Sequence, residues 1–127
     1  FKEAHNTMRK EIILPGLALG GGLGAVGRYL LSLIAAPWSF PVMTLLTNFL
    51  GAVVIGAVAQ AAGQLPMSKS AVLFLKTGLC GGFTTFSTFS LETVELLEQG
   101  RWAAGGGDIL ASVGLCLAGG LLVWKIL

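Results

Sequence analysis

Four apolar stretches, at about 12–35, 42–62, 70–97 and 103–127, take up nearly all of this 127-residue chain. A helix needs about 20 apolar residues to cross the hydrocarbon of a bilayer, and each stretch reaches that length. Only 11% of residues are charged and 54% are hydrophobic, with a mean hydropathy of +0.83. A soluble domain typically carries about 25% charged residues to cover its surface. The expected fold is therefore an all-α integral membrane protein with four transmembrane helices joined by short connections. It forms a single membrane domain over residues 1–127, with no length left for a soluble catalytic module. Residues 1–8 read as a disordered polar extension, with Met8 a candidate start and residues 1–7 ahead of it. The first apolar stretch lacks a convincing small-residue cleavage site and leads into further spans, so it reads as a helix and not a signal peptide.

Charge and cysteine usage narrow the function classes. A net charge of +2 from scattered basic residues gives no footprint for nucleic acid. Cys80 and Cys116 lie within apolar stretches without metal-ligand spacing, and read as small packing residues. His5, alone in the polar N-terminal segment, reads as solvated. No serine–histidine arrangement, metal-ligand cluster or phosphate-cradling loop is present, and the chain is not expected to be an enzyme.

The first span carries Gly16, Gly20 and Gly24 at four-residue intervals, a face on which another helix can approach closely. Arg28 follows at the next such step. A charge there must snorkel to the interface, pair, or face a wet vestibule. Pro37-Trp38-Ser39-Phe40-Pro41 is expected to turn at the interface. In the second span Thr44, Asn48 and Gly51 form one polar or small stripe, and Asn48 serves either an interhelical hydrogen bond or a polar path. In the fourth, Ser112, Cys116 and Gly120 repeat the small-residue spacing. Asp108, near its start, reads as an interfacial residue or part of a wet entrance.

The third stretch contains the decapeptide Gly81-Gly82-Phe83-Thr84-Thr85-Phe86-Ser87-Thr88-Phe89-Ser90. Glycines followed by hydroxyl residues predict two half-helices with a break between them. Freed backbone groups survive in hydrocarbon only where protein buries them or where they line a wet path. Such breaks offer carbonyls to cations and helix N-termini to anions. Phe86 and Phe89 are spaced to share a helix face, and aromatic rings present a positive edge. Ring edges and neutral donors could meet a small anion without the formal charge that would hold it too tightly to conduct. Ordinary packing of these phenylalanines is the other reading that spacing allows. The acidic residues of this span, Glu92 and Glu95, sit toward one end, away from the midplane that a proton-coupled transporter would need.

This decapeptide, preceded by Thr77-Gly78-Leu79-Cys80, resembles the third-helix signature of the Fluc-type fluoride channels. Gly27-Arg28-Tyr29 and Thr47-Asn48-Phe49-Leu50-Gly51 resemble the same family, as do the length and the four-span layout, over essentially residues 9–127. The resemblance implies a fluoride-selective channel that passively exports cytoplasmic fluoride across a prokaryotic inner or plasma membrane. It also implies a homodimer of oppositely oriented subunits in the lipid bilayer, with two antiparallel pores. By the same resemblance Phe86, Phe89 and Asn48 would line each pore. Ser87 and Thr88 would continue the path toward Glu92, with Ser112 contributed by the fourth helix, and Arg28 would sit near a vestibule. A structural Na+ at the dimer interface would be held by backbone carbonyls at the break, mapping to Gly81 and Thr84.

Basic residues bear on the implied dual orientation. Lys2, Arg9, Lys10, Lys69, Lys76 and Lys125 fall on one side of a four-span layout, and Arg28 and Arg101 on the other. Setting aside the extension and Lys76, which lies inside the span, leaves four against two, a bias toward one orientation. Two other functions compete. A proton-coupled small multidrug exporter needs an acidic residue within the first span, and residues 12–35 contain none. A non-transporting membrane assembly subunit would associate with a larger complex and leave vesicles silent.

Overall fold

In the computed structural model, the described backbone covers residues 2–34 and 40–127, with side chains from Lys10 onward. All regular elements among these residues are helical. Helix α1 runs Lys2–Ser32, α2 Val42–Gln64 and α3 Lys69–Leu73. A π-helical stretch, Phe74–Cys80, continues α3 into the short α4, Gly81–Phe83. Then come α5, Phe86–Glu98, and α6, Trp102–Ile126.

Three helical segments are long and apolar enough to cross a membrane: Lys10–Ser32, Val42–Gln64 and Trp102–Ile126. The second and fourth expected stretches match α2 and α6 within two residues at each end. The first helix starts well before Ile12, at Lys2, where the sequence suggests a disordered extension. The third stretch, read as residues 70–97, is spread over α3, the π-helical stretch, α4 and α5, so no one helix within it reaches spanning length. Of the expected interfacial turn at 37–41, residues 37–39 lie outside the described residues.

The two largest interfaces join helices that are not consecutive. α1 lies chiefly against the π-helical stretch and α4, and α2 against α6. Glycine makes both approaches possible. A Cβ at Gly24 would run into the backbone of Leu79 and Phe83, and one at Gly82 into that of Gly21. Gly20 meets Phe74 and Leu79, and Gly78 meets Leu17 and Gly20. Contact positions rise together along both segments, so α1 and the α3–α4 segment run parallel. Gly16, the first member of the expected stripe, has nothing within 4 Å. On the other pair, Gly56 faces Gly120, and Gly119 sits beneath Phe49 and Val53. Gln60 and Gln64 donate side-chain hydrogen bonds to the carbonyls of Trp124 and Leu127, groups that a helix end leaves without partners. These contacts make α2 and α6 parallel as well. α5 returns antiparallel to α6, with Gly105 against Leu97 and Thr93 against Asp108.

Candidate functional site

The geometry of the candidate site begins at the two residues between α4 and α5. Thr84 (φ −85°, ψ 156°) and Thr85 (φ −149°, ψ 118°) are extended, not helical. The Thr84 N–H and hydroxyl both turn back to the Cys80 carbonyl, at 3.0 and 2.9 Å. Its side chain occupies the space above Gly51, where a Cβ would collide with it. This explains the glycine in the Thr44–Asn48–Gly51 stripe: α2 is bare where the junction crosses it.

Asn48 takes both peptide groups of Thr85. The Thr85 N–H donates to Asn48 Oδ1 at 2.7 Å, and Asn48 Nδ2 donates to the Thr85 carbonyl at 3.0 Å. A primary amide has the donor and acceptor of a peptide unit, plus one further N–H. Here it stands in for the neighbouring backbone that the extended pair lacks. Thr85 also starts the next helix, its Oγ1 accepting from the Thr88 N–H at 3.0 Å and lying 3.2 Å from Ser87 Oγ. That is an N-cap, which satisfies a donor left open in the first turn of α5.

These diversions free two carbonyls. In an uninterrupted helix the Gly81 carbonyl would accept from the Thr85 N–H, and the Thr84 carbonyl from that of Thr88. The first N–H goes to Asn48 and the second to Thr85 Oγ1. Gly81 and Thr84 are the residues to which the resemblance assigns a sodium ion, and neutral carbonyl oxygens are hard donors suited to such a cation. Among the described residues, no group of three His, Cys, Asp or Glu side chains could hold a metal ion. A cation at the junction would be met by backbone oxygens of Gly81 and Thr84 and not by a cluster of such side chains.

An open cleft of about 380 Å³ lies beside this junction. Its lining includes Asn48, Gly81, Thr84, Phe86, Phe89 and Ser112, six of the residues singled out in the sequence. The rings of Phe86 and Phe89 are 5.5 Å apart and inclined at 54°. Phe89 is 8% exposed, whereas Phe86 is 77% exposed and projects from the surface of the subunit. A second, much smaller crevice contains Arg28, Ser32, Thr44, Thr47, Thr85 and Thr88. Thr85 therefore borders both spaces. Arg28 Nε reaches toward the Gly82 carbonyl at 3.5 Å, a long and weak contact.

Ser87 and Glu92 line neither space. Ser87 stays on the exposed side of the first turn of α5, and Glu92 accepts a 2.5 Å hydrogen bond from the Thr44 hydroxyl. That bond carries the polar surface of the small crevice to the carboxyl. Glu95 is exposed. Asp108, which the sequence suggests at an interface or a wet entrance, is only 2% exposed, between α5 and α6. Thr93 and Ser112 donate to its two oxygens, at 3.0 and 3.1 Å. The pairings of Asn48 with Thr85 and of Asp108 with Thr93 escape sequence reading because the partners are 37 and 15 residues apart and lie on different elements. Two local signals could have indicated part of this arrangement: Thr85 placed to cap the helix at Thr88, and Asp108 four residues before Ser112 on one helix.

Similarity to known proteins runs along almost the entire chain. The family model for CrcB-like protein, Camphor Resistance (CrcB), matches residues 16–124. A protein of Ruminiclostridium cellulolyticum named Fluoride-specific ion channel FluC is 42% identical over 119 residues, covering 91% of this chain and 92% of the relative. Its namesake in Opitutus terrae is 43% identical over 114 residues, with 85% and 84% covered. One from Roseiflexus sp. is 47% identical over 107 residues, with 81% and 86% covered.

Proposed function

The chain belongs to the CrcB-like family, and on that premise we propose that it is a fluoride-specific ion channel. It is a multi-pass membrane protein and a transporter, not an enzyme. In this reading fluoride leaves the cytoplasm passively, across the inner or plasma membrane of a prokaryote, which lowers its toxicity inside the cell. The supporting observation is the junction itself. One helical segment is interrupted at Thr84–Thr85, its peptide groups are clamped by Asn48, and two phenylalanines stand beside it in the same cleft.

Fluoride is small and strongly hydrated, so a path for it must replace water with donors while releasing the ion quickly. The inclined pair Phe86 and Phe89 offers ring edges, whose partial positive charge attracts an anion weakly. Asn48 has one amide N–H beyond the one it gives to Thr85. Thr88 and Thr44 carry the route along the small crevice past Arg28, toward Glu92. Ser87 and Ser112 belong to the route's margins.

Two copies of the chain in opposite orientations complete the site. Phe86, exposed on one subunit, then lies in the interface, and each subunit contributes an interrupted third span. Sodium, held by the Gly81 and Thr84 carbonyls, would supply positive charge that offsets carbonyl dipoles facing one another at the interface. The four-span layout follows if α3 through α5 cross as one unit. Parallel pairing of α1 with α3–α4, and of α2 with α6, supports that alternation.

Purified protein in liposomes loaded with potassium fluoride provides the test, with efflux followed at a fluoride electrode in the presence of a potassium ionophore. Rapid fluoride release is expected, and vesicles loaded instead with potassium chloride should show no matching release at a chloride electrode. Folded protein that releases no more fluoride than empty vesicles would overturn the assignment. Phe86→Ile and Phe89→Ile are expected to slow release sharply, while Leu110→Ile, on the exposed face of α6, leaves it unchanged.

A further inference from the structure

Asp108 has no place in the route just described, yet among the described residues it is the largest fully buried side chain. A carboxyl in a spanning helix is costly to bury unless its oxygens are satisfied. Its oxygens are met by hydroxyls on two helices, Thr93 of α5 and Ser112 of α6. A hydroxyl has only one hydrogen. Ser112 gives its hydrogen to Asp108 Oδ1, on the preceding turn of its own helix. Thr93 shares its own between Asp108 Oδ2, at 3.0 Å, and the Phe89 carbonyl, at 2.8 Å.

The consequence falls on the cleft. Ser112 lines it and Asp108 does not. With its hydrogen committed to Asp108, Ser112 offers the cleft lone pairs and a methylene, not a donor. We infer that Asp108 is a positioning residue that withholds the Ser112 O–H from the anion path, limiting the number of donors fluoride meets beside Phe89. This deepens the fluoride-conducting reading and rests on it. A conducting site needs this restraint, because every added donor strengthens binding and slows release. Asp108 thus sets rate through Ser112 without touching the ion.

The test uses the full chain in liposomes, measuring initial fluoride efflux against internal fluoride concentration. Asp108→Ala frees the Ser112 hydroxyl to turn into the cleft. Maximal efflux should fall about tenfold, the scale of one added hydrogen bond on the ion, and half-saturation should move to lower fluoride. Adding Ser112→Ala to that variant removes the freed donor and should recover most of the lost rate. A double variant as slow as Asp108→Ala, or slower, overturns the proposal, since a role in packing alone predicts that result. Asp108→Asn keeps an acceptor for Ser112 and gains a donor for Thr93. It should stay within about twofold of the wild type, and a tenfold loss in this variant counts against the proposal even where Asp108→Ala fails to fold. A double-mutant cycle on thermal unfolding reads the Asp108–Ser112 pair without transport. Strictly additive effects there overturn the pairing even if wild-type vesicles release no fluoride, which separates its failure from that of the channel assignment.

Discussion

Asn48 shows how much one side chain can settle at a helix interruption. It binds both polar groups of Thr85, which would otherwise be left without partners in an apolar surround. Leaving such groups unpaired costs about 1–3 kcal/mol each. Asn48→Ala should therefore lower the unfolding temperature in detergent and reduce efflux. Asn48→Asp keeps an acceptor for the Thr85 N–H but sets an oxygen against the Thr85 carbonyl, and should be at least as damaging. Wild-type melting and efflux in Asn48→Ala would remove the amide from any part in the junction. Thr85 invites a second comparison. Thr85→Val loses the cap of α5, worth about 1 kcal/mol, whereas Thr85→Ser keeps the oxygen. Equal destabilisation by the two would rule out the cap. In the sequence Asn48 is marked by its polarity, its stripe with Thr44 and Gly51, and the resemblance of the segment around it. What the amide binds was not readable, because its partner lies 37 residues away and is a peptide group, which every residue has. For Asp108 only the Ser112 pairing, four residues on, is local; its burial depends on how α5 packs on α6 and brings Thr93 to it.

At the level of helices, glycine marks the close approaches, but spacing alone does not tell which glycines are used. Gly20 and Gly24 touch backbone across the seam, while Gly16 and Gly22 meet nothing within 4 Å. Gly24→Ala or Gly82→Ala should force α1 from α4 at a cost of about 1–3 kcal/mol. Gly22→Ala should be neutral or mildly stabilising, since alanine favours helix without meeting a neighbour. Thermal inactivation of the reconstituted variants checks both, and equal loss at Gly22 and Gly24 would show that helix flexibility matters more than the seam. The α2 and α6 spans were legible from hydropathy and length to within two residues. The π-helical stretch at Phe74–Cys80 was not, since residues that favour it are the same ones that favour an ordinary helix. The extended residues between α4 and α5 are Thr84 and Thr85, whereas the local pattern draws attention to the glycines before them.

For the whole molecule, the exposed Phe86 and the carbonyls freed at Gly81 and Thr84 bear on the proposed dimer. If sodium bridges the two junctions, replacing it with N-methyl-D-glucamine during purification should raise the monomer share seen by cross-linking in dilute liposomes. An unchanged monomer share would leave the ion without a structural part. The all-helical, membrane-spanning character was legible because hydrocarbon imposes length and composition on any helix that crosses it. Which spans pair was not, since lipid tails and leucine are equally apolar and contacts are selected by small residues and hydrogen bonds. That pairing has a consequence for how the chain is made. α1 finds its main partner only after the α3–α4 segment has emerged from the ribosome, and α2 must wait for α6, which follows every other described helix. Each early helix therefore resides in lipid by its own apolarity, and the subunit completes its packing late, when α6 arrives and closes on α2. Truncation ahead of α6 should leave an inserted but unassembled chain, exposed to quality-control proteolysis.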